Sequence, residues 1–233
     1  MSVPARIVDI RQGTPSIKLF RLDLGGGDFT FLPGQWVDCY ANVDGELRVA
    51  GYSMTSSPLT TGTIDLAVKL EGDNPVTHFL HERAMVGDML EVDGGHGNFS
   101  YRRGMGDSLV LIGGGIGLTP LMSIIRYVDD AEPEVGVTLV HSARRPSELL
   151  FHQQLTEIAE RNDNIRCLFT VTRQSNEPWS GSVGRISAEM LAEAHAPADA
   201  LFYLCGPPYM VQAMVNLLAT LGVLAPKIAY ESW

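Results

Sequence analysis

The sequence has little that would hold a metal. Its 233 residues include three cysteines, Cys39, Cys167 and Cys205, widely spaced and without a Cys-x-x-Cys pair. That spacing argues against a cysteine-ligated iron–sulfur cluster or zinc site. His78 and His81 lie three apart, but no carboxylate pattern completes a metal site around them, so no metal is expected. Positive charge is also scarce: 17 Lys and Arg against 27 Asp and Glu give a net charge of −10. Such a balance disfavours non-specific attraction to nucleic acid or anionic lipid, so neither is expected as a partner. The start, "MSVPARIVDIRQ", carries no apolar run of signal-peptide length, and no stretch is long enough to span a membrane. A Walker A lysine, a Gly-x-Ser-x-Gly elbow, internal repeats and low-complexity segments are absent as well. The odd cysteine count suits a reducing compartment. The expectation is a soluble cytoplasmic protein.

What is present is a core and a change of rhythm. An apolar fraction of 45% supports a packed interior, and the length allows one large domain or two ordinary ones. The first hundred residues read as short strands broken by glycine and proline: "ARIVDIRQ", "SIKLFRLDL", "GQWVDCYANV", "GYSMTSS", "TIDLAVKL" and "DMLEV". Gly25 to Asp28 reads as a hairpin loop between two of them. This pattern predicts an antiparallel barrel. Within it, "NPVTHFLHERA" predicts a helix with Asn74 as N-cap and Pro75 in the first position. After "SYRRGMGD" (100–107) the period changes. Strands at Leu109–Ile112, Val137–His141, "IRCLFTV", "LFYLC" and "KIAYES" alternate with helices at "PLMSIIRYVDD", "SELLFHQQLTEIAERN", "SAEMLAEAH" and "YMVQAMVNLLATLG". Alternation of this kind predicts a doubly wound parallel sheet. The expected division is a β-barrel over 1–103 and an α/β domain over 104–233.

Ligands of doubly wound sheets sit beyond the carboxyl ends of the strands. Three segments fall there. The first is "LVLIGGGIGLTP", which lacks the dinucleotide fingerprint Gly-x-Gly-x-x-Gly, because Leu118 or Pro120 stands where the last glycine belongs. Its glycines nonetheless let backbone approach a ligand, Thr119 is placed to cap the next helix, and Pro120 suits the first turn. The second is "HSARRPSELLF". Arg144 and Arg145 there, with Arg173 and Arg185 after later strands, can form a phosphate fork at a ribose, although any one of them alone reads as solvated surface. The third is "CGPPYM", where Cys205 ends a strand. In the barrel half, Tyr52 offers a face for a flat ring and Ser53 a hydroxyl for a ring nitrogen. The start of the "NPVT" helix can receive a phosphate at its N–H groups.

In order, "LPGQWV", "GYSMTSSP", "GDNPVTHFLHE", "GDMLEVDGGHGNF", "GGGIGLTP", "HSARRPSELLF" and "CGPPYM" resemble the motifs of the ferredoxin–NADP reductase superfamily over nearly the whole chain. The resemblance implies two domains, an N-terminal antiparallel Greek-key β-barrel that binds FAD and a C-terminal α/β doubly wound sheet that binds NADPH or NADH. By resemblance, Tyr52 packs on the isoalloxazine and Ser53 bonds near its N5. Val76 and Thr77 give donors to the flavin pyrophosphate. Arg48, Met54, Val68 and Lys69 belong to the flavin contacts. Gly114, Gly115, Thr119, Pro120, Gly206 and Pro207 line the coenzyme path, and Cys205 stands beside the nicotinamide C4. Glu231 joins a proton network and Trp233 covers the flavin. Arg144, Arg173 and Arg185 match an arginine trio of NADPH-using members. Ser53, Cys205 and Glu231 are thus the expected catalytic residues.

One departure stands out. The family has arginine two residues before the flavin tyrosine, and here that position is Ala50, with Arg48 two residues further back. The implied activity is hydride transfer from NAD(P)H to FAD, with electrons passed on to a separate carrier such as a ferredoxin or flavodoxin, or to a small acceptor. Two alternatives are a reductase that uses free flavin as substrate and a low-turnover nucleotide-binding or electron-transfer subunit.

Overall fold

The fold is described from a computed structural model covering residues 2–26, 29–173, 176–193 and 199–232. Strands β1 (Val3–Thr14), β2 (Ile17–Asp23), β3 (Trp36–Val43), β4 (Glu46–Ser53), β5 (Thr63–Lys69) and β6 (Met89–His96) form the first sheet, with helix α1 (Pro75–Glu82) between the last two. Their order is β4-β3-β6-β1-β2-β5, and every neighbouring pair is antiparallel. A bridge from Met54 to Leu66 brings the two edges together. The alternation that predicts a barrel is visible in β3, where Val37, Cys39, Ala41 and Val43 are buried and their neighbours are not. They pack with Ile7, Phe20, Leu22 and Leu66 into the barrel core.

The turns correct one expectation. Asp44 and Gly45 adopt φ of 55° and 85° and join the paired strands β3 and β4. An Asp-Gly pair between strands is the residue choice that a two-residue hairpin requires, because both positions need positive φ. Gly25 and Gly26 also have positive φ, of 65° and 75°. They do not make a hairpin, since β2 lies between β1 and β5 and does not pair with β3. Gly27 and Asp28 lie outside the described residues.

The second sheet comprises β7 (Ser108–Gly114), β8 (Gly136–Ala143), β9 (Ile165–Val171), β10 (Ser182–Val183), β11 (Leu201–Gly206) and β12 (Ile228–Ser232). It is parallel, in the order β10-β9-β8-β7-β11-β12. Helices α2 (Leu118–Ala131), α3 (His152–Arg161), α4 (Ala188–Glu193) and α5 (Pro208–Thr220) cover it. Strand β7 is apolar and buried from Leu109 onward because both of its faces are covered. Leu109 and Leu111 pack with residues of α2 and α3, while Val110 and Ile112 pack with residues of α4 and α5. The strand order reverses between β7 and β11, and this switch point opens the crevice in which such sheets bind ligands.

Two helix expectations shift. The helix predicted from Ser147 begins at His152, after a single 3-10 turn over Pro146–Glu148. Phe151, expected with Leu155 and Ile158 along one face of this helix, is its N-cap with φ of 55°, and its ring packs against the core cluster that holds Leu155 and Ile158. The helix at "SAEMLAEAH" is described over Ala188–Glu193, and Ala194 and His195 lie outside the described residues. Among the described residues no helix is long and apolar enough to cross a membrane.

The two sheets share a core. Ile17, Ala67, Phe99 and Tyr101 from the barrel side belong to the same cluster as Leu118, Leu121 and Cys205. Polar ties accompany it. Tyr203 donates its hydroxyl to the Ser100 carbonyl at 3.1 Å and meets Phe99 edge-on at 5.4 Å.

Candidate functional site

The carboxyl end of β7 runs into a 3-10 turn, Gly115–Gly117, and then into α2. Gly115 has φ of 56°, a conformation that a side chain disfavours. Gly117 is constrained differently. A Cβ there would stand 2.3 Å from the Cys205 carbonyl oxygen, so the turn packs backbone to backbone against the end of β11. This is the close helix–strand approach that a third glycine serves in the usual fingerprint. The expected cap is absent: Gly117 is the N-cap, and Thr119 donates its hydroxyl to the Ile116 carbonyl at 2.9 Å. A 3-10 turn ahead of the helix brings that carbonyl within reach and makes the hydroxyl a donor. Pro120 lies in the first turn, as expected.

Strand register sets the next row. Gly113 on β7, Cys205 on β11 and Glu231 on β12 are lateral neighbours. In a parallel sheet such neighbours share a face. Gly206 follows beside Ser232, and Gly114 and Pro207 both lie against the Met210–Gly206 corner. Glu231 reaches the barrel: its Oε1 is 3.5 Å from the position of a Cβ on Gly97. Its Oε2 is buried without a hydrogen-bond partner among the described residues. Burial pushes this carboxyl up to about 7. A carboxyl with that property can hold or release a proton near neutral pH. Trp233 lies outside the described residues.

The barrel side is made of side chains bonded to each other. Tyr52 Oη and Thr77 Oγ1 share a hydrogen bond of 2.8 Å, joining β4 to α1. Burial raises the Tyr52 hydroxyl well above its ordinary value, with the Thr77 bond opposing. Asn74 caps α1 as expected, accepting from the backbone of Val76 at 2.9 Å and of Thr77 at 3.4 Å. A phosphate at this helix start therefore shares those donors with the Asn74 side chain. Ser53 and Met54 are buried, and Met54 makes the bridge to Leu66. Val68 is buried with its carbonyl accepting from His81 Nε2 at 2.8 Å, and Lys69 pairs with Glu71 at 2.5 Å. Strand β5, which carries these two residues, touches the Gly115–Gly117 turn. Ala50 is buried against the barrel core. Arg48 is exposed and paired with Glu46 on its own strand.

Arg144, Arg173 and Arg185 come from three segments that meet. The Arg173 N–H donates to the Arg144 carbonyl at 2.9 Å, and Gly184, next to Arg185, donates to the Val171 carbonyl at 2.8 Å. All three side chains are exposed, and none forms an ion pair among the described residues.

His141 opens the segment "HSARRPSELLF" but is not among the expected site residues. It is fully buried beside Gly113 and donates from Nε2 to the Gly115 carbonyl at 3.3 Å. Burial lowers it to about 4, so the ring is neutral, and Nδ1 has no partner among the described residues. A histidine ending an apolar strand just before the arginines was the available signal.

The cradle fits the groups that the sequence implies. Gly115 has open space at the turn, the Glu231 carboxyl stands beside Gly97 of the barrel, and the α1 start lies beside Tyr52.

Comparison with known proteins agrees with both halves. The model described as Oxidoreductase FAD-binding domain matches residues 4–101, and that described as Oxidoreductase NAD-binding domain matches 111–216. The chain is 35% identical to Oxidoreductase NAD-binding domain-containing protein 1 of Danio rerio, covering 98% of this chain and 91% of that protein. It is 34% identical to the glycine betaine monooxygenase reductase subunit of Chromohalobacter salexigens over 83% of this chain and 54% of the other, so it spans about half of that relative. Among solved structures, the flavohem-like FAD/NAD binding domain of nitric oxide dioxygenase from Vibrio cholerae superposes with a TM-score of 0.88 at 25% identity, covering 99% of this chain and 98% of that one.

Proposed function

The chain belongs to the ferredoxin–NADP reductase family of FAD- and NAD-binding oxidoreductases, and we propose that it moves hydride from NADPH to FAD and passes the electrons to an acceptor on another chain. The observation that carries this reading is the row Gly113–Cys205–Glu231 at the switch point, with Glu231 reaching across to Gly97. FAD supplies the redox chemistry when bound, taking two electrons together and releasing them singly. The chain's part is to orient and to handle protons. Tyr52 and Ser53 present the barrel wall, with Met54, Val68 and Lys69 continuing it. The Gly114–Pro120 turn, with Gly206 and Pro207, leads the coenzyme to Cys205, which closes the sheet side. Glu231 holds a proton at Oε2 and delivers or accepts it as the charge of the site changes. Orientation of this kind lowers the barrier by fixing reactants in an attack geometry.

Four further readings belong to the proposal. Arg144, Arg173 and Arg185 favour NADPH over NADH, because the three segments that carry these exposed side chains are joined by backbone hydrogen bonds beyond the carboxyl ends of β8, β9 and β10. The division falls between residues 103 and 104. The acceptor is separate, and the naming of the Chromohalobacter relative as a reductase subunit supports an oxygenase or an intermediary carrier in that role. The absence of a disulfide among Cys39, Cys167 and Cys205 supports a reducing, cytoplasmic setting.

A second reading is favoured by Ala50 and by the Asn74 cap. With no arginine at position 50, and with the first α1 donors already engaged, the flavin diphosphate has few fixed partners. Weak holding would make flavin a substrate. The visible spectrum of the purified protein tests the two. Stoichiometric bound flavin supports the first. Colourless protein that reduces added flavin with NADPH supports the second.

A further inference from the structure

Helix α2 carries the glycine turn at its start and is bonded at mid-length to the chain that continues from β4. Ser123 is fully buried and donates its hydroxyl to the Ser56 carbonyl at 2.7 Å. Three residues on, Arg126 donates from Nη1 to the Thr55 carbonyl at 2.7 Å and from Nη2 to Gln154 Oε1 at 2.8 Å. Residues three apart share a helix face, so both side chains reach the same segment. The guanidinium lies 5.1 Å over the Phe151 ring, and Asp65 stands 3.8 Å away.

The receiving segment is itself fixed. Thr55 donates its N–H to the Asp65 carbonyl at 2.8 Å, and the Asp65 N–H donates to Ser56 Oγ at 3.1 Å. The Asp65 carboxylate is held by two bonds from Arg21, at 2.7 and 2.9 Å. Thr55 and Ser56 directly follow Tyr52, Ser53 and Met54 in the chain. The apolar core between the domains resists separation but has little direction. Hydrogen bonds are directional, so these two resist sliding.

We propose that Ser123 and Arg126 are positioning residues for hydride transfer. They fix α2, and with it the Gly115–Thr119 turn, against the Tyr52–Ser56 segment, so the separation of coenzyme and flavin is set by the protein before either binds. The inference rests on the function proposed above. Ser123 is buried, and Arg126 lines a cleft with Thr55, Asp65 and Phe151; both act through α2 and the segment it is tied to.

The test uses Arg126→Met, Arg126→Lys and Ser123→Ala in the full chain. Amide hydrogen exchange is measured on the flavin-free protein over residues 52–57 and 115–126. FAD affinity is measured directly. Coenzyme-turn affinity is measured with ADP-ribose, which lacks the nicotinamide. Flavin reduction is followed at saturating coenzyme. Arg126→Met is expected to speed exchange in both segments and to slow flavin reduction about tenfold or more, with both affinities within about twofold, because small misplacements of reactants cost rate rather than binding. Arg126→Lys keeps a donor for the Thr55 carbonyl and recovers part of the rate. Ser123→Ala loses about threefold. Unchanged reduction at saturating coenzyme overturns the proposal, as does a loss of affinity large enough to account for the loss of rate. If Arg126→Met does not fold, Ser123→Ala and Arg126→Lys decide by the same criteria. If wild-type protein with bound flavin is not reduced by NADPH or NADH, the function falls instead, and hydrogen exchange alone judges the tie.

Discussion

The barrel wall and the sheet wall of the crevice are built from different groups. On the barrel wall the contacts are side chains that satisfy one another: Tyr52 with Thr77, and Asn74 with the backbone of Val76 and Thr77. On the sheet wall they are backbone and space, with Gly115 at positive φ and Gly117 against the Cys205 carbonyl. A side-chain wall loses one bond at a time. A backbone wall has no side-chain atom to give up, and at Gly117 it has no room to add one.

The largest effect should come from adding one carbon to the sheet wall. Gly117→Ala places a Cβ 2.3 Å from the Cys205 oxygen and 2.6 Å from the Gly206 Cα, backbone atoms that must move. Overpacking of this kind costs about 1–3 kcal/mol, and the shift at the turn is expected to lower kcat/KM about 10²-fold. Thr77→Val, on the barrel wall, removes one neutral hydrogen bond, about 1 kcal/mol, and is expected to weaken flavin binding about fivefold. Thermal melts and flavin titrations of the two variants check this, and a Thr77→Val loss exceeding that of Gly117→Ala breaks the comparison.

The arginines extend the sheet wall with exposed charge. Arg173→Ala is expected to raise KM for NADPH roughly tenfold, the size of one charge-assisted hydrogen bond, and to leave NADH within about twofold. Steady-state kinetics with both coenzymes decide it, and equal effects remove the NADPH assignment.

A pH-dependent effect concerns Glu231, which stands between the walls. Its carboxyl is raised to about 7 from an ordinary 4.5 by burial. Between these values the unfolded chain has released the proton and the folded chain has kept it. Stability therefore falls as pH rises through this window, and below 4.5 the group makes no difference. Glu231→Gln should remove that slope. Melting temperatures from pH 4 to pH 8 test it, and parallel curves for the two proteins would count against a raised carboxyl.

How much of this could be read in advance depended on how local the cause is. The Asn74 cap and Pro75 start were legible because cap, helix and donors lie within three residues. The two sheets were legible because burial on one face or on two imposes a period on each strand. Thr119 was misassigned because a 3-10 turn ahead of α2 turns its hydroxyl toward Ile116. The Phe151 conformation has no signal in its residue type. Ser123 and Arg126 could not be found at all, since their partners are 67 and 71 residues away and nothing local asks for them. A serine in the otherwise apolar run Leu121–Ile125 was the one trace they left.

The most direct measurement is an anaerobic titration of the FAD-loaded protein with NADPH, followed by visible absorbance. The account predicts that the flavin band bleaches at about one equivalent of coenzyme, since each hydride carries the two electrons that one flavin takes. A flavin-loaded protein whose band neither NADPH nor NADH diminishes would contradict it.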